Sequence, residues 1–186
     1  QVVYWEEVKE ILTYARKNIV STLGMCWGAL AMAKLVGVEK TNTPKKVFGV
    51  YKTYNLDRNH PITGELDDVF DWPQSRHAGI DDDLLERERD RGNLNLLARS
   101  PEAGYVIFET VDHRYLMHIG HPEYNKGRLV EEYLRDSRKG RGDVDPPKHF
   151  DLEHPVNTWR AHRNEFFSQW IKFLYDGISL GRPDRA

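Results

Sequence analysis

The chain has 186 residues, of which 39% are hydrophobic and 30% charged, and its formal net charge is −2. This length fits one domain with a hydrophobic core, and the near-neutral charge excludes the strongly basic surface of a typical nucleic-acid-binding protein. A single cysteine excludes an intramolecular disulfide, and no apolar run approaches the roughly 20 residues of a membrane span. We therefore expect one domain, residues 1–186, in the cytoplasm, without nucleic-acid or membrane partners.

The first half of the sequence predicts helices that alternate with strands. Apolar residues recur at helical spacing within residues 1–18, and residues 19–25 are β-branched and apolar, as in a buried strand. Small residues at 27–37 predict a helix that packs closely on a sheet, and 45–55 has strand character. Residues 60–80 predict a turn-rich segment, because their apolar positions are scattered.

The second half continues the alternation of elements. In chain order, the prediction is a short charged segment (81–92), three strands (94–100, 104–114 and 115–124), a helix (126–140), a proline-containing loop and a final helix (158–175). A tight turn at Asp112–His113 joins the last two strands. The strongly apolar early strands and the alternating helices predict an α/β fold with a largely parallel sheet. Helical spacing predicts which apolar residues face inward. In the first helix they are Trp5, Val8, Ile11, Leu12 and Ala15. In the helix at 126–140 they are Leu129, Val130, Tyr133 and Leu134.

The only cysteine, Cys26, lies where the strand at 19–25 meets the helix at 27–37. At such a junction a side chain projects from the carboxyl edge of a sheet. The free N–H groups and the dipole of the helix N-terminus favour a thiolate and can hold an oxyanion. Cys26 is therefore a candidate nucleophile. The alternative, from the same residues, is a small buried hydrophobic side chain.

A nucleophilic cysteine needs a base, usually a histidine, and a group that orients the base. Among eight histidines, His121 follows an apolar strand, and Pro122 stiffens its link to Glu123, whose carboxylate is placed to accept the second ring N–H. His118 and His121 also raise the alternative of a metal pair, but further ligands at zinc spacing are missing. We predict a Cys26–His121–Glu123 set and no metal. The alternative for His121 is a turn histidine bonded to the backbone.

Six short motifs occur in the order and nearly the spacing of one protein family. They are CWGALA, KVFGV, QSRH, IGHPEY, EEYLRD and WRAH, and the similarity extends from about Tyr4 to about Tyr175. Together they resemble the homoserine O-acyltransferases of the homoserine transsuccinylase family, which make O-succinyl- or O-acetylhomoserine for methionine synthesis. The resemblance implies a class I glutamine amidotransferase-like (flavodoxin-like) α/β fold, with three layers and helices on both faces of a largely parallel sheet.

The resemblance also implies roles for the matching residues. Cys26 matches the nucleophile that accepts the acyl group from coenzyme A as a thioester, His121 matches the general base, and Glu123 matches the group that orients this base. The backbone N–H of Trp27, which follows the nucleophile, is expected to form half of the oxyanion hole.

Three further assignments depend on the resemblance alone. Lys46, rather than Lys45, matches an active-site lysine, and Ser75 and Arg135 match substrate contacts. A guanidinium such as that of Arg135 suits the carboxylate of an amino acid, which it binds in bidentate fashion. Without the resemblance, all three residues would be interpreted as surface or capping residues.

The implied reaction is acyl transfer from succinyl-CoA or acetyl-CoA to the hydroxyl of L-homoserine. Acyl-CoA is the expected co-substrate, and no permanently bound cofactor is expected. Leu30, Gln74 and Gly79 depart from the usual residues of the family, so serine or another hydroxy amino acid stays open as the acceptor. A Cys–His–Glu hydrolase of the glutamine amidotransferase type and a non-catalytic binding module are the alternatives from other functional classes.

Members of the family carry roughly a hundred more residues before the YWEE segment, by analogy of fold. That part supplies early strands of the sheet, the second oxyanion donor and a position that helps to select the acyl group. We therefore expect an open sheet edge in this chain, an incomplete oxyanion hole, and association as a homodimer.

Overall fold

Helices and strands alternate along residues 3–179, the part of the chain that this computed structural model describes. In chain order they are α1 (Trp5–Asn18), β1 (Thr22–Met25), α2 (Trp27–Leu35), β2 (Thr41–Asn55), β3 (Val69–Gly79), α3 (Asp82–Asp90), β4 (Leu94–Ser100), β5 (Gly104–Thr110), β6 (Tyr115–His118), α4 (Lys126–Arg138) and α5 (Arg160–Ser179). None of the helices within this range is both long and apolar enough to cross a lipid bilayer.

The strands form one sheet in the order β1-β6-β5-β4-β2-β3. β1 pairs with β6 in parallel, whereas the other four pairings are antiparallel. The sheet thus differs from the largely parallel one that the sequence predicts. The reason is that β4, β5 and β6 follow one another through short turns, and a short turn returns the chain antiparallel, whereas parallel neighbours need a longer crossover.

β3 is a strand that the sequence analysis missed, because it lies within the turn-rich segment 60–80. Its inward positions alternate as expected for a strand, and Phe70, Trp72, Gln74 and Arg76 are all buried. Since two of these inward residues are polar, the apolar–polar alternation that marks a strand disappears halfway along it.

Helices cover both faces of the sheet, as predicted. α2 and α3 pack on one face of β4, β5 and β6, and α5 packs on the other. Successive residues of β6 show the division, because Tyr115 and Met117 belong to the first core and Leu116 to the second. A third and smaller core beneath α4 includes Leu129 and Trp159.

Two helices bury faces that differ in part from the prediction. Ile11 in α1 is 65% exposed, and Leu134 in α4 is 45% exposed, although both were expected to point inward. In α4 the carboxylates of Glu132 and Asp136 are buried instead, together with Leu129. The inner face of α4 is therefore partly charged.

Gly49 lets the loop after α4 lie against β2. Its φ of +137° belongs to a region that favours glycine, and a Cβ there would overlap the carbonyl oxygen of Lys148. Lys148 donates its N–H to the Phe48 carbonyl at 2.9 Å and accepts the Val50 N–H at 2.9 Å. This contact fixes the loop beside the strand that carries Lys46.

We expect Gly49→Ala to lower the free energy of unfolding by about 3 kcal/mol or more, because backbone strain and overlap with Lys148 add together. Gly37→Ala is the matched control, since Gly37 also has a positive φ (+85°) but a Cβ added there would meet nothing within 4 Å. Strain alone should cost that variant about 1 kcal/mol. Equal losses in urea denaturation would contradict the role of the Lys148 contact.

Candidate active site

Cys26 occupies a strained turn between β1 and α2. Its φ is +48° and its ψ is −110°, which is unusual for a residue with a side chain. The Cys26 N–H donates to the His118 carbonyl at 2.8 Å, and the Cys26 carbonyl accepts the Leu30 N–H at 3.1 Å. The thiol therefore stands at the carboxyl end of β1, beside the N-terminus of α2.

Gly24 allows this turn to be tight. A Cβ at Gly24 would lie 2.7 Å from the sulfur of Met32 and 2.8 Å from the backbone nitrogen of Ala29. A side chain at this position would push α2 away from β1. The first turn of α2 leaves backbone N–H groups without helical acceptors, and that of Trp27 lies directly after the thiol.

His121 is held by groups from two directions. The backbone N–H of His121 donates to the Pro73 carbonyl of β3 at 2.9 Å. The ring nitrogen Nδ1 lies 2.7 Å from Glu123 Oε1. Cys26 also acts on the imidazole, because it contributes to the raised pKa of His121 together with Glu123. The structure thus brings Cys26, His121 and Glu123 together, and their roles as nucleophile, base and orienting group stay predictions.

The environment of His121 favours its protonated form. Burial lowers the pKa of His121, but the hydrogen bonds with Cys26 and Glu123 and their negative charges outweigh it and raise the pKa to about 9. At neutral pH the His121 imidazole is therefore protonated and carries a positive charge beside Cys26.

Arg76 is a buried cation whose charge interacts with Cys26. Its guanidinium donates to Gln74 Oε1 at 3.1 Å and to the Ala78 carbonyl at 2.9 Å, and it also bonds the Ala103 carbonyl at 2.5 Å. Burial lowers the pKa of Arg76 to about 10, against the opposing charge of Cys26. Arg76 thus stays charged at neutral pH. The resemblance in the QSRH motif implied a substrate contact for Ser75, whereas no role was predicted for Arg76.

A second group of charges lies between β2 and α4. Lys46 Nζ is 3.1 Å from Glu132 Oε2 and 3.0 Å from Asp136 Oδ2, and all three side chains are buried. Ser75 Oγ donates to the same oxygen of Glu132. Lys46 is thus an ion-paired residue, with its ammonium turned toward two carboxylates.

The carboxylates of this second group are stabilised as anions. Burial raises the pKa of Glu132, but hydrogen bonds from Ser75 and Tyr124 and the charge of Lys46 bring it below its usual value. A hydrogen bond from Arg135, followed by those from Lys46, lowers the pKa of Asp136. The sequence analysis missed Glu132 and Asp136, although both belong to the EEYLRD motif that supplied Arg135.

Arg135 lies at the rim of this group. Its Nε donates to Asp136 Oδ1 at 2.8 Å, and 47% of the side chain is exposed, so the side chain is partly accessible from solvent. Lys45, by contrast, is exposed and pairs with Asp145 at 2.8 Å on the surface. The two lysines thus differ in environment, Lys46 being buried and ion-paired and Lys45 exposed, and the role assigned to Lys46 stays a prediction.

One cluster in residues 3–179 has the composition of a metal site: His60, Glu109 and His113. The backbone N–H groups of Ile62 and Thr63 point at His60 Nδ1, at 3.3 and 3.2 Å. The proton of His60 therefore sits on Nε2, which lies 3.1 Å from Glu109 Oε1. Since no imidazole lone pair of His60 faces Glu109 in this state, the contacts are those of a hydrogen-bonded cluster, and we assign no metal to it.

Sequence comparison places this chain close to a defined set of enzymes. A family model described as homoserine O-succinyltransferase matches residues 1–179. A homoserine O-acetyltransferase of Bacillus subtilis is 37% identical over 177 residues, which cover 93% of this chain and 58% of the relative. A homoserine O-succinyltransferase of Aliivibrio fischeri is also 37% identical over 177 residues, covering 92% of this chain and 56% of the relative. The chain thus spans somewhat more than half the length of these relatives.

Solved structures confirm the fold class. A glutamine amidotransferase of Methylobacillus flagellatus superposes with a TM-score of 0.69 at 17% identity, covering 94% of this chain and 71% of that protein. A glutamine amidotransferase of Thermotoga maritima gives a TM-score of 0.65 at 18% identity, with coverages of 91% and 67%. At these identities the similarity shows a glutamine amidotransferase-like α/β fold and nothing about activity.

The strain at Cys26 gives a stability prediction. Glycine adopts a positive φ without the steric cost of a Cβ, so Cys26→Gly should be more stable to urea than Cys26→Ala, by about 1 kcal/mol. Both variants lack the thiol, so the comparison isolates the backbone. A glycine variant that is the less stable of the two would show that the turn is unstrained.

The His121–Cys26 pair gives a pH prediction. Because His121 has a raised pKa, the imidazolium persists up to about pH 9, and a neighbouring cation generally makes a cysteine thiol more reactive. We expect iodoacetamide to alkylate Cys26 rapidly well below pH 8.5, the approximate pKa of a free cysteine. In His121→Gln, alkylation at pH 7 should fall at least tenfold, with little change at pH 10. Superimposable pH profiles of the two proteins would rule out an effect of His121 on the reactivity of the thiol.

Proposed function

Because the chain belongs to the homoserine O-succinyltransferase family, we propose that it transfers an acyl group from acyl-CoA to the hydroxyl of L-homoserine, a step of methionine biosynthesis. The observation that carries the proposal is the strained Cys26 turn, which faces an imidazole held by Glu123. This arrangement suits covalent acyl transfer, in which a thiolate attacks one acyl group and then gives it to a second acceptor.

In the proposed first half-reaction, the Cys26 thiolate attacks the thioester carbonyl of acyl-CoA. The carbonyl oxygen becomes an oxyanion, for which the Trp27 backbone N–H is a suitable donor. The C–S bond to coenzyme A then breaks, and the departing thiolate takes the proton of the His121 imidazolium. The products are free coenzyme A, an acyl thioester on Cys26 and a neutral His121.

In the proposed second half-reaction, neutral His121 takes the proton of the homoserine hydroxyl as the oxygen attacks the thioester. The new C–O bond forms, the C–S bond to Cys26 breaks, and the thiolate–imidazolium pair returns. Glu123, at 2.7 Å from Nδ1, holds one ring orientation through both steps and favours the imidazolium.

Arg135 is the proposed contact for the carboxylate of the amino acid, since its side chain is partly accessible from solvent and one guanidinium nitrogen is already fixed by Asp136. We assign Lys46 and Ser75 an indirect part in the same subsite. Both bond Glu132 from inside the protein, so they fix the position and charge of this carboxylate.

The acyl donor stays open between acetyl-CoA and succinyl-CoA. The Bacillus subtilis acetyltransferase and the Aliivibrio fischeri succinyltransferase are equally similar to this chain, at 37% identity. Overall similarity therefore does not separate the two donors. Amide hydrolysis is the second candidate function, because a cysteine beside a histidine and a carboxylate can attack an amide as well as a thioester.

We expect incubation of the purified chain with acetyl-CoA or succinyl-CoA to leave one acyl group on Cys26, seen by intact mass and peptide mapping. The protein and the acyl donor should be present in equal molar amounts, because the adduct can then be detected within a single turnover even when acylation is slow. Homoserine should then discharge the adduct as an O-acyl ester, and Cys26→Ala should form neither adduct nor ester. Ammonia release from glutamine without any acyl adduct would favour the hydrolase instead.

A further inference from the structure

The ring of Tyr124 lies flat against the imidazole of His121. The two ring centroids are 4.3 Å apart and the planes differ by 23°, which is a stacked arrangement. Tyr124 is also tied to His121 through the backbone, because its N–H donates to the His121 carbonyl at 3.1 Å. Nothing in the acyl-transfer steps described above uses this tyrosine.

The other end of Tyr124 is anchored to the buried charge group. Its hydroxyl donates to Glu132 Oε1 at 2.7 Å. Burial and the adjacent Glu132 carboxylate both raise the pKa of Tyr124, so the phenol remains a donor at any working pH. The carbonyl of Tyr124 accepts the indole N–H of Trp159 at 2.9 Å, which fixes the backbone as well.

Glu132 is itself a firm anchor. Its second carboxylate oxygen receives Lys46 Nζ at 3.1 Å and the hydroxyl of Ser75. One chain of contacts thus runs from the buried Lys46 through Glu132 and Tyr124 to the face of His121. Each contact in it is a direct hydrogen bond, ion pair or ring stack.

We propose that Tyr124 is a positioning residue for His121, whose ring fixes the plane of the imidazole while its hydroxyl ties that plane to the Glu132–Lys46 pair. The kinetic part of this inference rests on the proposed acyl transfer, whereas the part that concerns the Cys26 thiol does not. The ring and the hydroxyl of Tyr124 are expected to have separate effects on His121. The stack should favour the imidazolium, as an aromatic face does for a cation, and the hydroxyl tether should set where the base stands relative to the acceptor.

The test uses Tyr124→Leu, which removes stack and tether, and Tyr124→Phe, which removes the tether alone. Cys26 is the only cysteine in the sequence, so alkylation reports on this thiol without interference. In Tyr124→Leu, the alkylation rate at pH 7 should fall about three- to tenfold and recover at pH 10, because a stacked ring contributes a factor of that size. Tyr124→Phe should keep the wild-type alkylation profile but lose about tenfold in kcat for homoserine, with KM changed less than threefold.

Tyr133→Leu is the matched control, because Tyr133 packs against the same small core beneath α4. It should leave the alkylation profile unchanged, and circular dichroism should show that all three variants fold. A folded Tyr124→Leu with the wild-type profile would overturn the stack, and an equal shift in Tyr133→Leu would reduce it to general packing. A wild-type kcat in Tyr124→Phe would overturn the tether. If no variant or wild type transfers an acyl group, the proposed function fails while the alkylation result still decides the stack.

Discussion

The backbone of Cys26 is the constraint on which the rest of the site depends. A positive φ at a residue with a side chain costs about 1–3 kcal/mol, so the surrounding structure must hold it in place. The Cys26 carbonyl accepts the first helical hydrogen bond of α2, from the Leu30 N–H. The Cys26 N–H donates to the carbonyl of His118 at the end of β6. Since His121 is three residues beyond His118, the bond that holds the nucleophile also places the base. The thiol and the imidazole thus share one anchor.

Charge balance explains why so many polar side chains point inward at this edge of the sheet. Buried ions are tolerated when they are paired and hydrogen-bonded. The imidazolium of His121 lies between Cys26 and Glu123, and the ammonium of Lys46 lies between Glu132 and Asp136. The Lys46 cation is shared by two anions, so its removal would leave the negative charges of Glu132 and Asp136 facing each other.

The sequence predicted the parts of the molecule in which packing alone decides the residue type. The strand before Cys26, the helix after it and the turn at Asp112–His113 follow from apolar periodicity and turn chemistry. β3 was missed because Gln74 and Arg76 take inward positions, and the inner face of α4 was partly misassigned because Glu132 does the same. The direction of the strands could not be predicted from the sequence either. β5 is buried on both faces, which is typical of a parallel strand, but both of its partners are antiparallel.

The one parallel pairing of the sheet has a consequence for how the chain acquires its chemistry. β4, β5 and β6 pair with near neighbours in the chain, whereas β1 must find β6 across about ninety residues. Closing so long a loop costs more entropy than forming a hairpin, and such contacts form slowly. A chain still emerging from the ribosome carries its thiol early but meets the partner strand late. The Cys26 turn can therefore reach its folded geometry only once β6 is in place, because the Cys26 N–H bonds the His118 carbonyl at the end of that strand.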